Sequence, residues 1–355
     1  MAGFGVIVKK IMPDRSYLDW VIQNTRTGWW HDSAEAVELA LGLERGAIGV
    51  TTNPYLANLA LVKDRQLWAP AIEAVLARNL APEEKAEALM RIAVSTTAAK
   101  LLPQFEASQG QSGWVCGQVN PERAGDRDSM LPMARRYRAW APNIAVKLPA
   151  TSAGLDVMEE SIAEGITVAM TISFTVPQAI AIAERHLAGI GRAQAKGIEP
   201  GKCFAEIMIG RLDDYLREVA HDARAAAGES DIRQAGLAVT KRAYRIYKER
   251  GYKAVLLIAA MRGDYHLTEL AGADLLMSIA PGTQGGLVSH DLPREERIDR
   301  PVPAAVIERL CRISEFVRAY EPDGMEPSEF VGFGATQRTL SQFVEAGWKL
   351  MENYR

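Results

Sequence analysis

The chain has 355 residues, 48% of them hydrophobic and 24% charged, the balance of a globular protein with a sizeable core. A formal net charge of -3 gives no reason to expect nucleic acid or an anionic membrane as partner. Three scattered cysteines, Cys116, Cys203 and Cys311, form no disulfide or metal framework, and no apolar run or leader pattern argues for membrane insertion or secretion, so a cytoplasmic location is expected.

Residues 1–26 read as an N-terminal helical extension. Short apolar runs then recur in order: "TGWWHD" (27–32), "AIGVTTN" (47–53), "SGWVCGQVN" (112–120), "NIAVKLPAT" (143–151), "GITVAMTISF" (165–174), "KCFAEIMIG" (202–210), "AVLLIAAMR" (254–262) and "ADLLMSIAP" (273–281). Their apolar residues are nearly continuous, as in parallel strands covered on both faces. Segments with helical periodicity follow them, among them "SAEAVELALGLERG", "SAGLDVMEESIAEG" and "VPQAIAIAERHLAGI". Eight such strand–helix pairs predict an α/β fold, a single (β/α)8 TIM barrel over residues 1–355. A helical insert occupies 54–111, after the second strand. Residues 282–355 are expected to form a C-terminal loop of about 20 residues followed by helices over 303–320 and 336–353.

Chemistry in such barrels sits where the strands end. Those ends collect Asp32, Asn53, Gln118, Lys147, Thr171, Glu206, Arg211 and Arg262. Lys147 interrupts an otherwise apolar strand, and alternation turns it inward together with Ala145 and Pro149. A buried ammonium either pairs with an acid or loses its charge; desolvation lowers its pKa, and a free amine can attack a carbonyl. Arg211 and Arg262, at adjacent strand ends, can clamp one anionic group, although surface pairing with Asp213, Asp214 or Asp264 would account for them as well. The histidines lack metal-ligand spacing, and alternation turns His31 toward the helical layer.

The stretches "GVTTNPYL" (49–56), "VKLPAT" (146–151), "GITVAMTISFTVPQA" (165–179), "IGRLDD" (209–214), "AAMRG" (259–263) and "FGATQRTLSQF" (333–343) resemble, in order, the signatures of the transaldolase family of Schiff-base aldolases. The resemblance implies transfer of a dihydroxyacetone unit between sugar phosphates, a pentose-phosphate-pathway reaction, without metal or organic cofactor. Sugar-phosphate ketoses and aldoses are then the partners, neither nucleic acid nor membrane is implied, and a homo-oligomer is compatible. By the same resemblance Lys147 is the imine-forming lysine, Asp32 the acid/base for the substrate's C4 hydroxyl, and Asn53 a ketose contact. Thr171 helps to hold a catalytic water, and Arg211 and Arg262 receive the phosphate.

Two positions depart from the pattern. The third strand carries Gln118 where transaldolases have a glutamate, and glutamine can orient a water but cannot take its proton. The sixth strand carries Glu206 in place of a serine and Met208 in place of an aromatic residue. One expectation is that the carboxylate has moved from strand three to strand six, with Gln118 and Glu206 sharing the catalytic role and Met208 lining the substrate; equally, Glu206 could simply hydrogen-bond an altered substrate. The related fructose-6-phosphate aldolases also carry a glutamine on strand three, so a lyase releasing dihydroxyacetone is the alternative. A catalytically inactive sugar-phosphate-binding barrel is the third reading.

Overall fold

A computed structural model describes residues 16–355; of the expected extension, residues 1–15 lie outside the described part, and Tyr17–Asn24 is a helix, α1. Ser16 caps α1 reciprocally with Asp19, satisfying donors that a helix start leaves free. Eight parallel strands close on themselves: β1 (Gly28–His31), β2 (Gly49–Val50), β3 (Trp114–Gln118), β4 (Ile144–Pro149), β5 (Val168–Thr171), β6 (Cys203–Met208), β7 (Val255–Ala259) and β8 (Leu276–Ile279), with β8 pairing β1.

The first connections carry α2 (Ala36–Glu44), then the insert helices α3 (Pro54–Lys63), α4 (Arg65–Leu76) and α5 (Pro82–Ala107). Next come α6 (Arg127–Arg138), α7 (Ser152–Ala163), α8 (Val176–Ala195), α9 (Ile209–Asp222), a short α10 (Glu229–Ile232) and α11 (Ala235–Arg250). The ring ends with α12 (Asp264–Leu270) and α13 (Pro281–Ser289), followed by α14 (Ala304–Leu310), α15 (Ser314–Tyr320), α16 (Gly334–Phe343), a π-helical turn at Val344–Trp348, and α17 (Lys349–Glu352). None of these helices is long and apolar enough to cross a membrane.

The tail differs from expectation in two ways. Pro281–Ser289, read as the start of a loop because of its glycines, is the helix α13. Pro281 at its first position supplies a helical φ, and buried Gln284 donates to Ile279 O at 2.8 Å and to His31 Nδ1 at 2.9 Å. The span 303–320 is also two helices, broken between Leu310 and Ser314. His31 lies in the helical layer as alternation requires, and burial lowers its pKa to about 4, which suits an imidazole nitrogen accepting a hydrogen bond.

Inside the barrel the side chains stack in layers. Trp30, Trp114 and Phe204 fill the lower end, with Trp30–Phe204 ring centroids 4.6 Å apart and edge-on. Gly49 makes room for that indole; a Cβ there would lie 2.5 Å from Trp30 Cε2. Cys116, Ala145, Ala169, Leu257 and Leu276 complete this apolar interior. Two residues further along, the same faces of β3, β4, β5 and β6 turn polar: Gln118, Lys147, Thr171 and Glu206. Gln118 and Lys147 stand opposite each other in register.

The loop after β5 is held under strain. Ile172 has φ 56, a left-handed conformation that β-branched residues rarely adopt. Gln178 on α8 braces it: Nε2 donates to Ala150 O at 3.1 Å and Ile172 O at 3.0 Å, while Oε1 accepts from Phe174 N at 2.9 Å. Gln178→Ala is expected to cost about 2–4 kcal/mol in urea unfolding, since three buried backbone groups lose their partner.

Candidate active site

Lys147 emerges from β4 with its side chain 3% exposed, and its Nζ lies 3.0 Å from Glu206 Oε1 on β6. Thr171 on β5 donates its hydroxyl to the other carboxylate oxygen, Glu206 Oε2, and its Oγ1 stands 3.9 Å from Met208 Sδ. The lysine therefore pairs with an acid and does not lose its charge. Burial alone disfavours the ammonium, but the charge and hydrogen bond of Glu206, with a smaller contribution from Asp32, outweigh it, and the pKa is raised. This reverses the direction expected from desolvation, because strand alternation could not place a partner 59 residues away. Gln118 is buried beside the pair with its Oε1 unpartnered. It is an acceptor in need of a donor, which a water or a substrate hydroxyl can supply.

At the barrel mouth a cavity of ≈ 200 Å³ is walled by Asp32, Asn53, Arg211, Arg262, Ser278 and Phe343, among others. Lys147, Thr171 and Glu206 are not on its wall. Burial raises the Asp32 carboxyl above its ordinary value, with the Thr51 hydrogen bond and the charge of Lys147 opposing only in part. Thr51 Oγ1 donates to Asp32 Oδ1 at 2.7 Å and lies 2.5 Å from Ser278 Oγ, so the Ser278 hydroxyl on β8 donates to Thr51, which in turn donates to the acid. Asn53 caps α3, its Oδ1 accepting from Leu56 N at 2.9 Å. Pro54 follows it at the first helical position.

The two arginines share that wall in different states. Arg211 Nη1 donates to Gln342 Oε1 at 2.5 Å, its guanidinium sits 5.3 Å from the Phe343 ring centroid, and its buried Nε has no partner among the described residues. Burial and the like charge of Arg262 lower its pKa, the condition of a cation awaiting an anion. Arg262 donates from Nε at 2.9 Å and Nη2 at 2.8 Å to Asp214 Oδ2, and from Nη1 to Ala260 O at 2.7 Å. Surface pairing thus applies to Arg262 through Asp214, whereas Asp213 is buried and bonds to His266.

The structure brings all nine anticipated residues to one end of the barrel: Lys147, Thr171, Glu206, Gln118 and Met208 in the buried layer, and Asp32, Asn53, Arg211 and Arg262 around the cavity. Thr51, Ser278, Gln342 and Phe343 were not anticipated. Carrying the β8 alternation one step past Leu276 would have found Ser278; Gln342 and Phe343 arrive from α16, at the end of the stretch 333–343 whose resemblance carried no site role for them. A larger cavity, ≈ 300 Å³, lies outside the barrel against α11 and contains no strand residue. Of its cations, Lys241, Arg242, Arg245 and Arg300 are paired with Glu269, Glu321, Glu249 and Glu295, and Lys248 lies over the Tyr244 ring.

The family model described as Transaldolase/Fructose-6-phosphate aldolase matches residues 29–325. A transaldolase of Thiobacillus denitrificans is 28% identical over 301 residues, covering 78% of this chain and 82% of the relative. One from Neisseria gonorrhoeae is 32% identical over 183 residues, covering 50% of this chain and 52% of the relative. Transaldolase 1 of Streptomyces avermitilis is 30% identical over 212 residues, covering 57% of this chain and 54% of the relative.

Proposed function

Since the chain belongs to the transaldolase/fructose-6-phosphate aldolase family, we propose that it transfers a dihydroxyacetone unit between sugar phosphates through an imine on Lys147. One observation carries this reading, the convergence of Lys147, Thr171 and Glu206 with the Asp32, Arg211 and Arg262 cavity at one end of the barrel. The sequence calls for an uncharged amine beside a cavity, and the 3.0 Å Lys147–Glu206 contact must open before the amine can attack. That contact puts a proton acceptor directly on the amine that must be freed, at the strand where the carboxylate was expected after its loss from position 118.

In the first step the Lys147 ammonium gives a proton to Glu206 and leaves the pair for the cavity, where the neutral amine attacks the ketose C2. The attacking nitrogen then passes one of its own protons to the carbinolamine oxygen, and Glu206, linked to the Thr171 hydroxyl, adds the one it took, so the oxygen departs as water and leaves the iminium. Gln118 orients this water through its unpartnered Oε1. Asp32 then removes the C4 hydroxyl proton as the C3–C4 bond breaks; the aldehyde leaves, and the bonding pair passes into the enamine. Attack of the enamine on a second aldehyde and hydrolysis of the imine reverse these steps. Asn53 and Met208 line the sugar, and Arg211 with Arg262 holds its phosphate.

Gln118 also favours a second reading, the lyase that releases dihydroxyacetone. Borohydride reduction in the presence of fructose 6-phosphate, with peptide mass analysis, tests the common half-reaction: a three-carbon adduct is expected on Lys147. Adding an aldose phosphate should discharge the enamine into a new ketose if transfer is the outcome. Free dihydroxyacetone accumulating at the same rate with and without acceptor selects the lyase. No adduct with any ketose removes both readings.

A further inference from the structure

Two elements carry the arginines of the anion site. Arg211 sits in the first turn of α9, and Arg262 on the short segment between β7 and α12. Each element also carries a polar residue that the proposed chemistry leaves unused: Asp213, two positions after Arg211, and His266, four positions after Arg262. Both are 0% exposed, and they meet with His266 Nε2 3.0 Å from Asp213 Oδ2.

The hydrogen bonds fix the imidazole's tautomer. Arg262 N–H donates to His266 Nδ1 at 3.1 Å. A backbone amide can only donate, so Nδ1 accepts and the ring proton sits on Nε2, directed at Asp213. Asp213 is anchored in turn, because its Oδ1 accepts from Gly236 N at 2.8 Å. The close approach of α11 depends on that glycine: a Cβ at position 236 would lie 2.6 Å from Ile209 O and 3.0 Å from Asp213 Oδ1.

The chain Gly236–Asp213–His266–Arg262 thus fastens the backbone of one arginine to the helix bearing the other. It is needed because Ala260, two residues before Arg262, has φ 57, a left-handed turn costing an alanine roughly 1–2 kcal/mol. Such a turn persists only where the surroundings hold it. The Arg262 side chain cannot supply all of the hold, since an arriving anion would compete for donors now given to Asp214 and Ala260.

We infer that His266 and Asp213 are positioning residues for anion recognition: they form a buried cross-brace between α9 and α12 that sets the spacing of the Arg211 and Arg262 guanidiniums. The inference rests on the proposed role of those arginines. Neither brace residue touches the substrate; their effect falls on the phosphate end of the sugar and not on the imine chemistry.

The test compares fructose 6-phosphate with unphosphorylated fructose in steady-state kinetics. His266→Ala should raise KM for the phosphorylated ketose roughly ten- to a hundredfold, leave its kcat within about threefold, and leave kcat/KM for fructose unchanged within the same margin. His266→Asn, which keeps an acceptor near the Nδ1 position, should recover most of the lost affinity. In the wild-type chain, 15N spectra of the His266 ring should show the proton on Nε2 and an unprotonated Nδ1, a readout that survives poor folding of the variants. A proton on Nδ1, an equal rise in KM for both ketoses, or a loss of thermal stability with KM unaltered overturns the brace. Arg262→Ala separates the two levels: if it raises KM for the phosphorylated ketose while His266→Ala does not, the brace fails and the anion site stands. If Arg262→Ala is silent as well, the anion site falls and the brace with it.

Discussion

Lys147→Met is expected to abolish the borohydride-trapped adduct, to lower turnover at least about a thousandfold, and to destabilise the fold by about 3–5 kcal/mol. The first two effects follow from loss of the proposed nucleophile. The third follows from the partner left behind: Glu206, 1% exposed in its side chain, would keep only the Thr171 hydroxyl against its charge. Replacing both partners, Lys147→Met with Glu206→Leu, removes the pair and its desolvation cost together. The double variant should unfold in urea within about 1–2 kcal/mol of the wild type, or later, because apolar replacement of a whole buried ion pair is often neutral or stabilising. It should remain inactive. A single Lys147→Met variant as stable as the wild type would mean that Glu206 carries no buried charge.

Glu206→Gln is expected to lower kcat by about 10²–10⁴, the range for loss of a positioned acid/base, with little change in size at the site. It should also make Lys147 more reactive toward amine-directed reagents at neutral pH. Burial already disfavours the ammonium and Glu206 is the foremost group opposing it, so removing that charge lowers the lysine pKa. In the wild type the raised pKa favours the protonated lysine at neutral pH, and on the proposed mechanism the free amine forms as the proton moves to Glu206. The variant should therefore be labelled faster at lower pH yet turn over more slowly, a divergence that simple damage to the site would not produce. Unchanged turnover would remove Glu206 from the proton path.

The barrel was legible because parallel strands covered on both faces need near-continuous apolar runs, and because one lysine broke such a run at 147. Strand ends were legible as a set, since alternation and register act locally. Pairing across the barrel was not: nothing near position 147 specifies an acid at 206, so the direction of the lysine's shift was read from burial alone and came out reversed. The helix at Pro281–Ser289 was hidden by its glycines, which lower helix propensity. It is held by the tertiary contacts of Gln284. The Asp213–His266 contact was invisible for the same reason as the Lys147 pair, each residue looking like ordinary surface polarity until the fold buries it.

The aromatic stopper of Trp30, Trp114 and Phe204 at the lower end has a kinetic corollary. With that end filled, the layer of Gln118, Lys147, Thr171 and Glu206 faces the end of the barrel where the cavity lies, so on the proposed chemistry sugar and water would use the same side. On that reading, water released on forming the imine leaves past the sugar or stays beside it, where the hydrolysis that ends the cycle can use it.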